Sequence, residues 1–359
     1  MRAALAFGRR GLGRTAPNPS VAALVVRDGV VVGRGITAPG GRPHAEPIAL
    51  AQASGASRGA TLYVTLEPCS HHGRTPPCVE TVLAAGVARV VVALRDPDPR
   101  VAGRGIAQLR AAGLDVVEDV AAAEALQDHL GHVQRVTLGR PVVTLKLAET
   151  ADGIAAAAPG TPRLLITGAR ANTHVHRLRS LHDAVLIGRG TAEADDPLLT
   201  VRLPGETAAN PIRIVLDTGA RLSPESQLVR TARSHPVLLI VSADVETSRT
   251  ARLEAQGVEI CRMPKSEPAL GEVLGELGAR DLTRILCEGG PTLASAMILG
   301  GFADTVIRLT SPDPSAGSVG RPAFAPGAAH LLSEATTYAL QDEAFLGADR
   351  LRIYSKVRS

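Results

Sequence analysis

Tryptophan is absent from this 359-residue chain, and aromatic residues make up only 2% of it. Proteins that hold single-stranded nucleic acid use aromatic side chains as stacking platforms, so that class of partner is disfavoured at once. A net charge of +4 points the other way, but the basic residues are spread evenly, with no Lys/Arg block. A solvated surface plus a few phosphate-binding arginines accounts for them. No apolar run approaches the roughly 20 residues that a bilayer span needs. The N-terminus also lacks the apolar core and cleavage site of a signal peptide. The expectation is a cytoplasmic enzyme with no nucleic-acid and no membrane partner. Cysteines number four, in unrelated contexts. Structural disulfides are rare in the cytosol, which favours metal binding for Cys69 and Cys78, in their polar, Pro-rich loop. Cys261 and Cys287 sit in apolar stretches and read as small buried hydrophobes.

What is present is aliphatic: 45% of the chain is hydrophobic, so its cores are built from Val, Leu, Ile and Ala, as suits parallel strands under helices. The length exceeds what one core sustains, and two domains are expected. The first alternates strands (Val21–Val26, Val30–Gly33, Thr61–Leu66, Val87–Leu94, Leu114–Val117) with helices opening near His44 and Cys78 and lying about Ile106–Ala112 and Ala122–Val136. Gly139-Arg140-Pro141 marks the boundary, giving domains 1–140 and 141–359. The second has strands at Val142–Leu147, Ala184–Ile187, Ile212–Leu216, Val237–Val241, Arg284–Cys287, Thr305–Leu309 and Leu351–Tyr354. Its helices are expected near Ala169–Leu181, Glu267–Leu277 and Pro291–Leu299, while Pro312–Gly327 and Ser223-Pro224 read as surface loops. The fold class is α/β throughout.

The chemistry concentrates in His44-Ala45-Glu46 and in the loop from Pro68 to Cys78. One imidazole and two thiols make a three-ligand zinc set whose fourth tetrahedral position stays open to water, whereas a structural site would be closed by a fourth side chain. Glu46, two residues from His44, is the proton carrier that hydrolytic removal of a ring amino group requires. Eight residues separate the two cysteines, so the short two-residue spacing of common nucleobase deaminases is not matched. Since three ligands already suffice, His71 and His72 read as substrate-facing or surface residues.

The second half lacks a Gly-x-Gly-x-x-Gly fingerprint. It offers two strand–glycine–helix junctions, Ile187-Gly188-Arg189-Gly190-Thr191 and Cys287-Glu288-Gly289-Gly290-Pro291-Thr292. Unpaired amides at such a helix start suit a pyrophosphate, although on the residues alone an ordinary tight strand-to-helix turn is the favoured account of the glycines. Lys146 interrupts an apolar strand. Either it meets a partner or ligand, or it snorkels from an edge.

The loop Pro68-Cys69-Ser70-His71-His72-Gly73-Arg74-Thr75-Pro76-Pro77-Cys78 resembles that of the bifunctional riboflavin-biosynthesis deaminase/reductase family. So do Pro17-Asn18-Pro19, Thr65-Leu66-Glu67, Asp96-Pro97-Asp98-Pro99 and Val101–Gly105. The likeness is dense to about residue 140 and continuous beyond, through Lys146-Leu147-Ala148, Asp152-Gly153, Ala194-Asp195-Asp196-Pro197, Leu199–Arg202 and Glu288–Ala294. It implies a cytidine-deaminase-like three-layer domain followed by a dihydrofolate-reductase-like α/β domain, with Zn2+ and NADPH as cofactors. His44, Cys69 and Cys78 would hold the metal, and Glu46 would be catalytic. Asn18, His71, Arg74, Asp96 and Asp98 would border a pyrimidine pocket. Ala148, Thr167, Thr191, Asp195, Thr218 and the run Gly290, Pro291, Thr292, Leu293, Ala294, Ser295, Ala296 would contact NADPH. Lys146, Arg179, Leu199, Arg202 and Glu288 would contact substrate, the arginines as phosphate clamps. The expected ligand is a pyrimidine ribosyl phosphate, and the expected assembly a homo-oligomer. Where the family carries Ser-x-Trp-Ile-Thr this chain has Arg163-Leu164-Leu165-Ile166-Thr167, so the indole expected against the cofactor is replaced. That departure keeps a rival in view, a deaminase whose second domain only senses a nucleotide.

Overall fold

Two glycines at alternate positions of a short strand determine where the first helix of the deaminase motif can lie. In the computed structural model, which describes residues 1–73, 76–158, 164–205, 210–315 and 320–357, strands β1 (Ala22–Arg27) and β2 (Val30–Ile36) form an antiparallel hairpin. Helix α2 (Ala45–Ala53) lies directly on β2; a Cβ built on Gly33 would stand 2.1 Å from the Ala49 carbonyl oxygen, and one on Gly35 2.1 Å from that of Ala45. Period-two glycines thus remove the side chains that would hold the helix off the sheet. Gly35→Ala is therefore expected to displace the start of α2 and cost about 1–3 kcal/mol, as overpacking does, read as a lower thermal unfolding midpoint.

The chain divides into two compact units, Met1–Pro141 with Gly278–Thr283, and Val142–Leu277 with Arg284–Ser359. That second, distant segment of the first unit was not read from sequence. The first unit begins with α1 (Arg2–Gly8) and continues after α2 with β3 (Thr61–Val64), α3 (Cys78–Ala84), β4 (Arg89–Val92), α4 (Arg104–Ala111), β5 (Asp115–Val117) and α5 (Ala122–Leu138). Its sheet runs β2-β1-β3-β4-β5, antiparallel in the hairpin and at β1–β3, parallel beyond. Ala23, Val25, Leu62, Val64, Val90 and Val92 meet α2, α3 and α4 on one face. On the other, Gly8 of α1 approaches Ala22, and Leu5, Ala93 and Ala125 bring in α5. The result is a three-layer unit.

In the second unit, β6 (Val142–Glu149), β7 (Ile154–Ala157), α6 (Ala169–Ser180), β8 (Ala184–Gly188), α7 (Arg189–Asp195) and β9 (Ile212–Leu216) come first. Then follow α8 (Gln227–Arg230), β10 (Val237–Val241), α9 (Thr247–Ala255), β11 (Glu259–Arg262), α10 (Leu270–Ala279), β12 (Arg284–Cys287) and α11 (Pro291–Leu299). The chain ends with β13 (Thr305–Thr310), β14 (Gly320–Pro322), α12 (Pro326–Ser333), β15 (Tyr338–Leu346) and β16 (Asp349–Lys356). The sheet order is β11-β10-β9-β8-β12-β6-β13-β16-β15, parallel as far as β13 and antiparallel at β13–β16 and β15–β16. Strands β8 and β12 are neighbours, so the two glycine junctions stand side by side at the carboxyl edge, where ligands of open parallel sheets bind.

One expectation is corrected. Pro312–Gly327 is not surface loop throughout: β14 pairs with β7, and Ala323 and Phe324 are buried. The reason is local. The Ala325 amide donates to Ser295 Oγ at 2.9 Å, docking the start of α12 on α11. Cys261 and Cys287 are buried, as expected.

Candidate active sites

His44 is the N-cap of α2 and Cys78 the first residue of α3, so two helix starts bring their side chains together. His44 Nδ1 lies 3.2 Å from Cys78 Sγ and 3.7 Å from Cys69 Sγ, and the three donor atoms fall within 4.8 Å of one another. Zinc with bonds of about 2.3 Å to sulfur and 2.0 Å to nitrogen in a tetrahedron separates nitrogen and sulfur by about 3.5 Å; the observed distances bracket that value. The donor set therefore fits zinc. Among the described residues no fourth side chain joins the group. His72 points away, 3.5 Å from Glu80 on an exposed surface, and His71 is half-buried in the loop.

The thiols share a proton unequally. Cys69 is held down to about 4, chiefly because the Cys78 thiol donates to it, with the Cys78 amide (3.3 Å) and His44 helping. Cys78 is pushed up by that same bond and by burial. His44 is raised by its bond to Cys69. A preformed thiolate is the form a metal takes. Glu46, 3% exposed in the first turn of α2, is pushed up to about 7 by burial and by the neighbouring Cys69. A carboxyl near neutrality both accepts and returns protons.

Around this group, the Asn18 amide donates to Gly41 O at 2.7 Å and lies 3.3 Å from His44 Nε2. Asp96 is buried and its Oδ1 accepts from the Asp98 amide, 2.9 Å. Asp98 is committed to Arg100 at 2.6 Å, which holds it down to about 2, so its carboxylate is occupied. Arg74 lies outside the described residues. Sequence reasoning missed the role of Glu67: its buried carboxylate accepts from the amides of Asp96, Gly103, Gly105 and Ile106 at 2.9–3.3 Å. It therefore locks the Asp96 loop to the chain one residue before Pro68. Its place in the Thr65–Cys69 run was the available signal.

In the second unit Arg179 and Glu288 form a buried bidentate pair, Nε–Oε1 2.6 Å and Nη2–Oε2 2.9 Å. Burial opposes ionisation of Glu288, but Arg179, Lys146 and His176 more than offset it and hold the carboxyl below its usual range. Lys146 lies on β6, between β12 and β13 and so at no sheet edge, and its charge acts on Glu288. Arg179 Nη1 also donates to Thr200 O at 3.1 Å, and His176, one turn earlier on α6, places Nδ1 3.0 Å from the same oxygen. The i, i+3 spacing of His176 and Arg179 was its overlooked signal. Arg202 is exposed and reaches Thr200 Oγ1 at 3.0 Å. Leu199 has φ +53° and its side chain is in the core, so it offers a ligand only its backbone.

The two junctions touch: the Gly290 amide donates to Thr191 Oγ1 at 2.9 Å. Pro291 starts α11, Thr292 is exposed, and Leu293 is half-buried. Ala294 is fully buried and the Ser295 hydroxyl is engaged by Ala325, whereas Ala296 is exposed. The expected run of contacts is therefore interrupted by core positions. Ala148 packs on the core, and Asp195 ends α7. The Thr218 carbonyl accepts from Ser242, and Thr167 bonds Asn172. Leu165 is 83% exposed, and Arg163 lies outside the described residues.

Residues 1–94 match the family described as the cytidine and deoxycytidylate deaminase zinc-binding region, and residues 141–327 match the RibD C-terminal domain. The riboflavin biosynthesis protein RibD of Escherichia coli (strain K12) is 39% identical over 325 residues, 87% of this chain and 86% of its own length. That of Aquifex aeolicus (strain VF5) is 37% identical over 312 residues, again 87% and 86%. The solved structure of Acinetobacter baumannii RibD superposes with a TM-score of 0.88 at 33% identity, covering 99% of this chain and 98% of that one. A Thermotoga maritima diaminohydroxyphosphoribosylaminopyrimidine deaminase/5-amino-6-(5-phosphoribosylamino)uracil reductase gives 0.80 at 30%, covering 99% and 97%. The architecture is thus a cytidine-deaminase-like unit joined to a dihydrofolate-reductase-like one. With a three-donor zinc set in its first unit and paired strand–helix junctions in its second, the chain belongs to the RibD family of riboflavin biosynthesis proteins, which join a deaminase and a reductase in one polypeptide.

Proposed function

We propose that residues 1–140 hydrolyse the 2-amino group of 2,5-diamino-6-ribosylamino-4(3H)-pyrimidinone 5′-phosphate. Residues 141–359 then reduce the ribosyl group of the product to ribityl with NADPH. The observation that carries this reading is the His44–Cys69–Cys78 triangle with Glu46 buried beside it.

When bound at that triangle, zinc supplies a Lewis acid that brings water's pKa to about 7. Glu46 takes a proton from the attacking water and delivers it to the departing amine, so that ammonia leaves as the ring carbon gains oxygen. Asn18 and His71 border the ring, and Asp96, an obligate acceptor when ionised, receives its N–H donors.

Bound in the second unit, NADPH would supply a hydride for C1′ of the opened sugar, the other added hydrogen coming as a proton from solvent. The first-turn amides of α11 beyond Gly290, with Thr191 beside them, would hold its pyrophosphate. Glu288, oriented by Arg179, accepts sugar hydroxyls. Arg202 takes the ribose phosphate, with Lys146 contributing positive charge. Arg179 is spent on Glu288 and Thr200, so it orients the site more than it clamps phosphate.

Mass spectrometry of the pyrimidine phosphate incubated with purified protein tests the reading. Without NADPH, one amino group is exchanged for oxygen; with it, the product gains two further hydrogens. No exchange by zinc-loaded protein overturns the first half, and exchange without the added hydrogens overturns the second.

A further inference from the structure

The helix α5 carries a histidine that neither half of the proposed chemistry uses. His132 Nε2 lies 2.9 Å from Asp96 Oδ1, and the two side chains are 8% and 11% exposed. An ionised carboxylate can only accept, so the proton of this bond sits on Nε2. The other ring nitrogen, Nδ1, is buried and has no hydrogen-bond partner among the described residues. His182 in the second unit shows the contrasting, purely structural arrangement, with Nδ1 on Leu178 O at 2.7 Å and Nε2 on Thr144 Oγ1 at 2.9 Å. Among the described residues the hydrogen bond of His132 is to Asp96, and its ring also faces the charge of Asp98.

The bond is aimed. The Asp98 amide donates to the same Oδ1 at 2.9 Å, so both donors converge on one oxygen. Among the described residues none donates to Oδ2. Fixing one carboxylate oxygen from two directions sets the torsion of the group and leaves the second oxygen's lone pairs uncommitted to those donors. The backbone of Asp96 is fixed separately, through its amide to Glu67.

We propose that His132 is a positioning residue of the deaminase half, orienting Asp96 so that Oδ2 meets the N–H edge of the pyrimidine. This rests on the reading of Asp96 as a substrate contact, and the test separates the two. Full-length His132→Leu, His132→Gln and Asp96→Asn are assayed for deamination over a range of substrate. Zinc content and NADPH-dependent reduction of the deaminated pyrimidine are measured on the same preparations. His132→Leu is expected to raise KM by about 10- to 100-fold, the usual cost of losing an orienting partner, with a smaller loss in kcat. His132→Gln keeps an N–H at similar reach and is expected to recover most of that loss. Zinc and reduction stay at parent levels in both. Full deaminase activity in Asp96→Asn sinks the reading of Asp96. An impaired Asp96→Asn beside a His132→Leu within twofold of parent sinks the positioning role alone. Equal impairment of His132→Leu and His132→Gln also sinks it, since the hydrogen bond would then not be the cause. Should His132→Leu lose zinc or reduction as well, His132→Gln decides.

Discussion

Glu46→Gln is expected to lower deamination by about 10,000-fold, at the upper end of what general acid–base catalysis contributes, with zinc still bound and reduction of the deaminated pyrimidine unchanged. The size follows from one group serving two steps. A glutamine amide has nearly the shape of the carboxyl but can neither take a proton from water nor pass one to an amine. The position makes replacement by solvent ineffective. Glu46 is 3% exposed, in the first turn of a helix seated on the glycines of β2. Burial and Cys69 together push its carboxyl up to about 7, where both protonation states are populated near neutrality. The ligands His44, Cys69 and Cys78 are untouched, so metal content separates lost proton transfer from a lost site. Deamination within tenfold of the parent, at full zinc, would remove Glu46 from the mechanism.

How much of this was legible beforehand depended on whether a feature is local. The strands Ile212–Leu216, Val237–Val241 and Arg284–Cys287 are short apolar runs bounded by turn residues, and each forms where the pattern places it. The metal triad is legible although Cys69 and His44 lie 25 residues apart, because the types and number of donors carry the inference before geometry is known. What was missed is tertiary. Helix α9 and strand β11 have few large apolar residues among their Arg and Glu; β11 is an edge strand, paired among the described residues with β10. Strand β15 is the opposite edge, where Leu340 and Phe345 stay exposed, so alternation does not reveal a core face.

Functional side chains divide the same way. Glu67 and His132 act through partners 29 to 39 and 36 residues away, which neither spacing nor composition can foretell. Arg179 shows the converse limit. Residue type correctly marked a bidentate donor, but only the fold reveals that its fork closes on Glu288. Leu199 stands in an expected ligand loop with its side chain in the core, which leaves its backbone to meet a ligand.

Arg179→Ala is expected to cut NADPH-dependent reduction by more than about 100-fold and to destabilise the second unit by about 3–5 kcal/mol, the cost of leaving one partner of a buried pair behind. Glu288 explains both effects, since without the guanidinium its carboxylate is buried and unaimed. The pH dependence identifies the cause. In the parent, the folded-state pKa of Glu288 is depressed, so the pair's contribution is present above the unfolded value of about 4.3 and fades as pH falls through the folded one. In Arg179→Ala burial dominates and lifts that pKa, so the penalty is largest at neutral and higher pH and shrinks as acid protonates Glu288. The gap between the thermal midpoints of parent and variant should therefore narrow on acidification. A double variant, Arg179→Met with Glu288→Leu, removes both charges at similar volume and is expected to regain most of the stability but none of the reduction. Deamination in the first unit serves as the internal control. If Arg179→Ala oxidises NADPH within twofold of the parent, the pair belongs to the architecture of α6 and β12 and has no part in holding substrate.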